Sequence, residues 1–114
     1  MRNVIGFDAV IPAGASLSQS IGPFDVITAI RPGASWPAGI DMTFQGAYEP
    51  GEFTNLVTDG AEVVIPAVAS TQESAYSDDF HARFLRVRRG TSAAPNTGVA
   101  DITVRVYGVA AGTL

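Results

Sequence analysis

The sequence predicts an all-β protein: an antiparallel β-sandwich, jelly-roll-like, of seven to eight short strands with almost no helix. Valine and isoleucine together number 20 against 4 leucines, and β-branched residues favour strands. Twelve glycines and 7 prolines are spread along the chain and divide it into short segments. Short apolar segments separated by turn residues at this spacing are typical of a sandwich or jelly roll.

Length and composition narrow the classes of function. The 114 residues predict a single domain over 1–114, which is large enough to bury a two-layer core. Cysteine is absent, so this core forms without disulfides. A net charge of −4 argues against a nucleic-acid partner. No apolar run is long enough to span a membrane, and the N-terminus lacks a signal-peptide pattern. Charged residues make up 16% and mean hydropathy is +0.22, so we expect a partner to cover some of the surface.

The first half of the chain contains three predicted strands. Residues 3–11 form the first, with its apolar side made by Ile5, Phe7, Ala9 and Ile11. Residues 16–21 alternate polar and apolar residues and predict a short edge strand. Residues 24–31 are largely apolar and predict a central strand, and residues 31–39 form a loop that contains the single tryptophan, Trp36.

The clearest alternation of apolar and polar residues follows this loop. Residues 40–45 alternate apolar and polar side chains and predict a half-buried strand, and residues 53–65 predict a hairpin turning at Asp59-Gly60. Residues 66–79 form a polar connector, where a short helical turn is allowed, and residues 99–109 form the last strand. The predicted core consists of Ile5, Phe7, Ile27, Met42, Phe44, Leu85, Val87, Val104 and Val106.

A strand within residues 80–95 carries four of the seven arginines, and the chain has no lysine. Leu85 and Val87 share one side of this strand, whereas Arg86 and Arg88 share the other. Two interpretations stay open: the arginines pair within the fold, or they dock an acidic partner. Guanidinium groups suit interfaces, which favours docking slightly. The acidic residues that would pair with them within the fold are Asp41, Asp101 and Glu62.

The candidate catalytic and metal-binding groups are weak, and we expect no enzyme, cofactor or metal site. His81 follows Asp78 and Asp79 in one polar connector, whereas a catalytic triad or a metal site needs groups from separate elements. Glu49 and Glu52 flank Pro-Gly and are more typical of a solvated turn than of a glycosidase pair. The glycines match no phosphate-binding loop.

Three aromatic residues in loops raise the possibility of a sugar-binding platform. Trp36, Tyr48 and Phe53 would supply the stacking surface. The alternative is that Trp36 closes one end of the sandwich, and the large area that a tryptophan buries favours this second interpretation.

Several stretches of the chain resemble a group of small structural proteins of tailed bacteriophages and prophages. The stretches are IPAGASLS (11–18), RPGASWPAG (31–39), MTFQ (42–45), Leu56 with DGAEV (59–63), FLRVRRGTS (84–92) and the closing strand at 104–106. The chain departs from this group in an enlarged connector, 72–79, and an extra strand-like N-terminus, 2–10.

The resemblance implies a jelly-roll decoration, or cement, protein without catalytic activity, located on the outer surface of the phage head. Its expected partners are the major capsid protein and further copies of itself, as a homotrimer or, second, a dimer. It would be made in the cytoplasm of the host bacterium. A carbohydrate-binding or adhesion module of a fibre or baseplate is the alternative. Residues 1–11 are expected to add a strand to a neighbour, and the candidate interface residues are Arg2, Val4, Ile5, Phe7, Trp36, Arg86 and Arg88.

Overall fold

The fold is all-β, as predicted. The structure is a computed structural model and describes residues 4–66, 74–75 and 82–110, in which every regular element is a β-strand. Nine strands occur in these ranges, and four of them span two residues each. The strands are β1 (Val4–Ile11), β2 (Phe24–Arg31), β3 (Met42–Ala47), β4 (Thr54–Asn55), β5 (Val57–Thr58), β6 (Ala61–Glu62), β7 (Ser74–Ala75), β8 (Phe84–Arg89) and β9 (Ile102–Ala110).

Two antiparallel sheets form the sandwich. One has the order β1-β9-β2-β7 and the other the order β4-β3-β8. Residues 17–21 extend the second sheet beyond β8 through bridges from Leu17 to Arg88 and from Ile21 to Leu85. Numbered along the chain with this segment as the second, the eight extended segments lie in the orders 1-8-3-6 and 2-7-4-5. This is the jelly-roll arrangement, and the β5–β6 hairpin is an insertion into it.

Strand β2 departs from simple alternation. Its pairing with β9 shifts register twice, between Phe24 and Val26 and between Ile27 and Ala29. Each bulge adds one residue, so the inward side chains are spaced by three: Phe24, Ile27 and Ile30 are all buried. The apolar run was correctly predicted as an interior strand, but the bulges were not visible in its periodicity.

The core between the sheets contains most of the predicted residues. Ile27, Met42, Phe44, Leu85, Val87, Val104 and Val106 are each 3% exposed or less. Phe7 is half-buried and packs edge-on against Phe24, with ring centroids 4.7 Å apart. The assignment of Ile5 to the core was wrong: burial decreases along β1 from Ile11 towards Val4, and Ile5 is 41% exposed at the rim of the sandwich.

Strand β3 is buried on both faces rather than half-buried. Thr43, predicted to point to solvent, is fully buried and donates its hydroxyl hydrogen to the carbonyl oxygen of Gly90 at 2.7 Å. Thr43 is paired with Arg88 on the same face of this sheet, and Asn55 and Glu62 bind the guanidinium of Arg88. The polar side chain of Thr43 is therefore buried with its hydroxyl bonded to a residue distant in the sequence.

The predicted turn at Asp59-Gly60 is confirmed. Asp59 has a φ of 53° and Gly60 a φ of 79°, the positive values that a two-residue hairpin requires, and β5 and β6 pair on either side. The predicted strand at 53–58 is divided into β4 and β5. The connector at 66–79 lies largely outside the described residues, so its predicted helical turn stays a prediction; within it, β7 pairs with β2.

The last strand begins later than predicted, at Ile102 instead of Val99. Val99 is fully exposed, and the residues around it contact the loop after β1. Ala13 donates its backbone N–H to the Asp101 carboxylate at 2.8 Å, and Gly14 donates to the carbonyl of Gly98 at 2.8 Å. These contacts hold the residues before Ile102 in a loop at the end of the sandwich.

Replacing Phe44 with alanine tests the position of the core. Phe44 is fully buried in β3, so we expect Phe44→Ala to lower the free energy of unfolding by about 3–5 kcal/mol. The measurement is equilibrium denaturation in urea. Val57→Ala is the control: Val57 is 52% exposed, and its replacement should cost about 0.5 kcal/mol or less. Equal losses for both variants would contradict this core.

Candidate functional site

The guanidinium of Arg88 is bound by side chains of the same chain. Its side chain is 7% exposed, with Nη2 2.8 Å from Asn55 Oδ1 and Nη1 3.4 Å from Glu62 Oε2. Glu62 also accepts the backbone N–H of Ser92, so the carboxylate connects the hairpin to the turn that follows β8. Of the two interpretations of the arginine strand, intramolecular pairing with Glu62 describes this residue.

Arg86 is also engaged within the protein. Its guanidinium carbon lies 4.3 Å from the centre of the Phe53 ring, a cation–π contact, and its Nε is buried without a hydrogen-bond partner among the described residues. Arg86 and Arg88 lie on the outer face of β8, as predicted. That face is covered by chain segments containing Phe53, Asn55 and Glu62, so it is not an open row of guanidinium groups.

Trp36 is buried in the core of the sandwich. It is 3% exposed, belongs to the hydrophobic core and donates its indole N–H to the carbonyl oxygen of Ile40 at 3.1 Å. Its inclusion in a sugar platform was therefore wrong, and the burial expected in the alternative interpretation is confirmed. Trp36 was also a candidate interface residue, but its side chain has almost no exposed surface for a partner to contact. Arg2, another candidate, lies outside the described residues.

A cleft of about 470 Å³ opens beside the end of β3 and β4. Tyr48 is 65% exposed at this cleft, and Glu52, Thr54 and Asn55 are among its polar lining residues. An exposed aromatic ring beside carboxylate, hydroxyl and amide groups provides both a flat apolar surface and hydrogen-bonding groups. Sequence analysis named Tyr48 but grouped it with Trp36, which lies in the core.

The outer face of the four-stranded sheet presents three rows of side chains across β1, β9 and β2. The register places Val4 beside Val109 and Val109 beside Val26, which gives an apolar row. Val4 is 55% and Val26 38% exposed. The next row is formed by Gly6, Tyr107 and Ala29, and the third by Asp8, Arg105 and Arg31.

Electrostatic contacts order the polar part of this outer face. Arg105 Nη1 lies 3.2 Å from Asp8 Oδ1, and its guanidinium crosses Gly6, where a Cβ atom would lie 2.5 Å from Nε. The guanidinium carbons of Arg31 and Arg105 lie 5.8 and 5.9 Å from the Tyr107 ring centre. Sequence analysis singled out Val4 here but missed Val26, because the bulges of β2 hide which of its residues face outward.

The N-terminal segment is part of the protein's own sheet. β1 pairs with β9 along its whole length, from Val4 opposite Val109 to Ile11 opposite Ile102, and buries Ala9 and Ile11. Lending this strand to a neighbour would break that pairing and expose core side chains. What β1 offers to a partner in this arrangement is its outer edge.

The candidate catalytic groups form no site in the part of the chain that the structure describes. Ser77, Asp78, Asp79 and His81 lie outside it. Glu49 and Glu52 are exposed in a turn closed by a 3.3 Å hydrogen bond from Glu52 N–H to the Glu49 carbonyl.

Residues 4–66, 74–75 and 82–110 also contain neither a cluster of potential metal ligands nor a membrane-spanning helix. Among them, no group of three or more histidine, cysteine, aspartate or glutamate side chains is placed to hold a metal ion. The same residues include no helix with the length and apolar character needed to cross a membrane.

Comparisons with known proteins give no relative. The chain matches no protein-family model, and neither curated proteins nor solved structures include a significant match to it. The resemblance to phage structural proteins therefore stays a prediction from the sequence.

Replacing Arg88 tests its role within the fold. We expect Arg88→Ala to lower the free energy of unfolding by about 2–4 kcal/mol, because Glu62 and Asn55 lose their shared partner in a largely buried place. Equilibrium denaturation measures it. The exposed Arg83 is the matched control, and Arg83→Ala should change stability by about 0.5 kcal/mol or less. An Arg88 variant as stable as the control would return this side chain to the candidate interface.

Proposed function

We propose that the protein is a non-enzymatic structural protein of a tailed-phage virion: a decoration protein that binds the major capsid protein on the outer surface of the head. The observation that carries the proposal is the outer face of the four-stranded sheet, with its row of Val4, Val109 and Val26 beside Tyr107. An exposed apolar row of this kind favours a protein partner. The sequence resemblance supports a capsid as that partner, and jelly rolls occur in capsid proteins, which is support by analogy.

Binding to the shell then relies on apolar contact more than on charge. Arg86 and Arg88 are occupied by Phe53, Asn55 and Glu62, and an exposed pair such as Arg105–Asp8 contributes little. Burying the valine row stabilises the complex by removing apolar surface from water, which salt does not screen. Assembly as a homotrimer, or second as a dimer, is the expectation from the resemblance.

A substitution in the valine row tests capsid binding. We expect the protein to cosediment with heads of the phage or prophage that encodes it, with little change across a salt series. Val26→Asp should weaken binding by about tenfold or more, because an unpaired carboxylate would be buried at the contact.

The control places the same change elsewhere on the molecule. Val57 is also exposed but lies in the β5–β6 hairpin, and Val57→Asp should bind as the unchanged protein does. No cosedimentation of the unchanged, folded protein with heads would refute the proposal. Binding lost steeply with salt would instead assign the contact to arginine side chains.

A carbohydrate-binding module is the second candidate function, favoured by the cleft at Tyr48. A sugar ring stacks on an exposed aromatic side chain through its C–H groups, while its hydroxyls bond to polar neighbours. Tyr48 supplies the ring, and Glu52 and Thr54 supply hydrogen-bonding groups in the same cleft. Jelly rolls also occur in lectins, so the fold does not discriminate between the two functions.

A glycan array with a Tyr48 variant tests this second function. If the cleft binds sugar, Tyr48→Ala should remove binding by loss of the stacking surface, whereas Tyr48→Phe should keep most of it. Phe53→Ala is a useful comparison, because Phe53 stacks on Arg86 and is not among the residues that line the cleft. An array without any bound glycan counts against a carbohydrate function, and so does binding that Tyr48→Ala leaves intact.

A further inference from the structure

Strand β1 is an edge of the four-stranded sheet, and its backbone groups alternate between two directions. The Gln19 side chain shows which residues point away from β9, because it bonds to Val10 N–H and to the Asp8 carbonyl. By alternation, the N–H and C=O groups of Val4, Gly6, Asp8 and Val10 face the open edge, and those of the intervening residues pair with β9.

Gln19 satisfies one part of this edge and leaves the other open. Its Oε1 accepts the Val10 N–H at 3.2 Å, and its Nε2 lies 3.5 Å from the Asp8 carbonyl oxygen. Within the described part of the chain, the outward N–H and C=O groups of Val4 and Gly6 and the N–H of Asp8 have no partner. The open edge therefore consists of residues 4–8.

The open edge lacks the features that normally prevent strands from pairing. Sheet edges are usually blocked by lysine, proline, a bulge or a covering segment. Residues 4–8 contain no lysine or proline, and the one charged residue among them, Asp8, is paired with Arg105 of its own sheet. The β1–β9 register runs through them without a shift. Apolar side chains flank the edge on both faces of the sheet, with Val4 55% and Ile5 41% exposed.

We propose that this edge binds a second copy of the chain, with residues 4–8 of the two copies paired antiparallel across a two-fold axis. An antiparallel edge is complementary to itself, because a two-fold rotation brings its donors opposite its own acceptors. With the axis at Gly6, the two Gly6 residues exchange both hydrogen bonds, and Val4 of each copy lies opposite Asp8 of the other. The two four-stranded sheets join into one.

The chemistry around Gly6 suits this register. Arg105 crosses Gly6 and bonds to Asp8 of its own chain, so each copy brings a balanced pair of charges to the axis. Val4 of each copy becomes covered at the ends of the pairing, and Ile5 becomes covered opposite Phe7 of the other copy. Such a contact closes with two copies, which favours the dimer over the homotrimer that the resemblance places first.

The pairing is a property of the isolated chain and does not depend on the proposed function. Sedimentation equilibrium of the purified protein over a micromolar to millimolar series measures it, and we expect a reversible monomer–dimer equilibrium. Ile5→Lys should abolish the dimer, because it places a charge opposite Phe7 of the other copy and brings the two like charges close together on one face across the axis. Val4→Pro should weaken it by removing an outward N–H. Circular dichroism checks that both variants are folded.

Two further variants separate the edge from the rest of the sheet. Val26→Lys puts the same charge on the outer face away from the edge and should leave the dimer intact. Gln19→Ala frees the Asp8 carbonyl for Val4 N–H of the partner and should lower the dissociation constant roughly 2- to 10-fold. A dimer broken by Val26→Lys but kept by Ile5→Lys would overturn the edge assignment.

Amide hydrogen exchange gives an independent measurement. The Gly6 and Asp8 amides should become protected as concentration rises, whereas the Val10 amide, already bonded to Gln19, should be protected at every concentration. A chain that stays monomeric through the series, with unchanged Gly6 exchange, refutes the proposal. That result would leave capsid binding untouched, because the head-binding test uses the Val26 surface.

Discussion

The structure depends on the packing of β9 against β8 and β3 across the middle of the sandwich. β9 lies between β1 and β2, so it supplies the backbone partners of both long strands in its sheet. Its inward residues Ile102, Val104 and Val106 belong to one core with Leu85, Val87 and Phe44 of the facing sheet. Removing either side of this contact would leave a sheet with one apolar face exposed to water.

The arginine strand illustrates how the same residues serve either stability or binding, depending on what covers them. Alternation alone places Arg86 and Arg88 outside the core, where they would be free for a partner. In the structure, Phe53 contacts the guanidinium of Arg86, and Asn55 and Glu62 bind that of Arg88. The candidate contact surface is therefore on the opposite sheet, where a row of valines lies beside Tyr107.

Much of the fold follows from local patterns in the sequence. Alternation in β8 and β9 identified their buried faces, and Asp59-Gly60 identified the hairpin, because period and positive φ are properties of a few neighbouring residues. Features that depend on distant contacts were not predictable in this way. Bulges in β2 change its period to three, and the hydroxyl of the buried Thr43 bonds to the carbonyl of Gly90, which is distant in the sequence.

The candidate sites were predicted less well than the fold. Trp36 and Tyr48 are both aromatic loop residues, and only the packing of the loop decides that Trp36 enters the core while Tyr48 faces solvent. The extent of the open edge of β1 is set by the Gln19 side chain, which bonds to the Val10 N–H and the Asp8 carbonyl and so covers that part of the strand edge. A sequence pattern does not indicate which backbone groups form hydrogen bonds with such a side chain.

The pairing of β1 and β2 with β9 has a consequence for synthesis of the chain. During translation the first two long strands leave the ribosome well before their common partner exists, since Val4 pairs with Val109 and Ile30 with Val106. The four-stranded sheet therefore forms after translation has passed β9, and until then its apolar strands are exposed to chaperones and to other nascent chains.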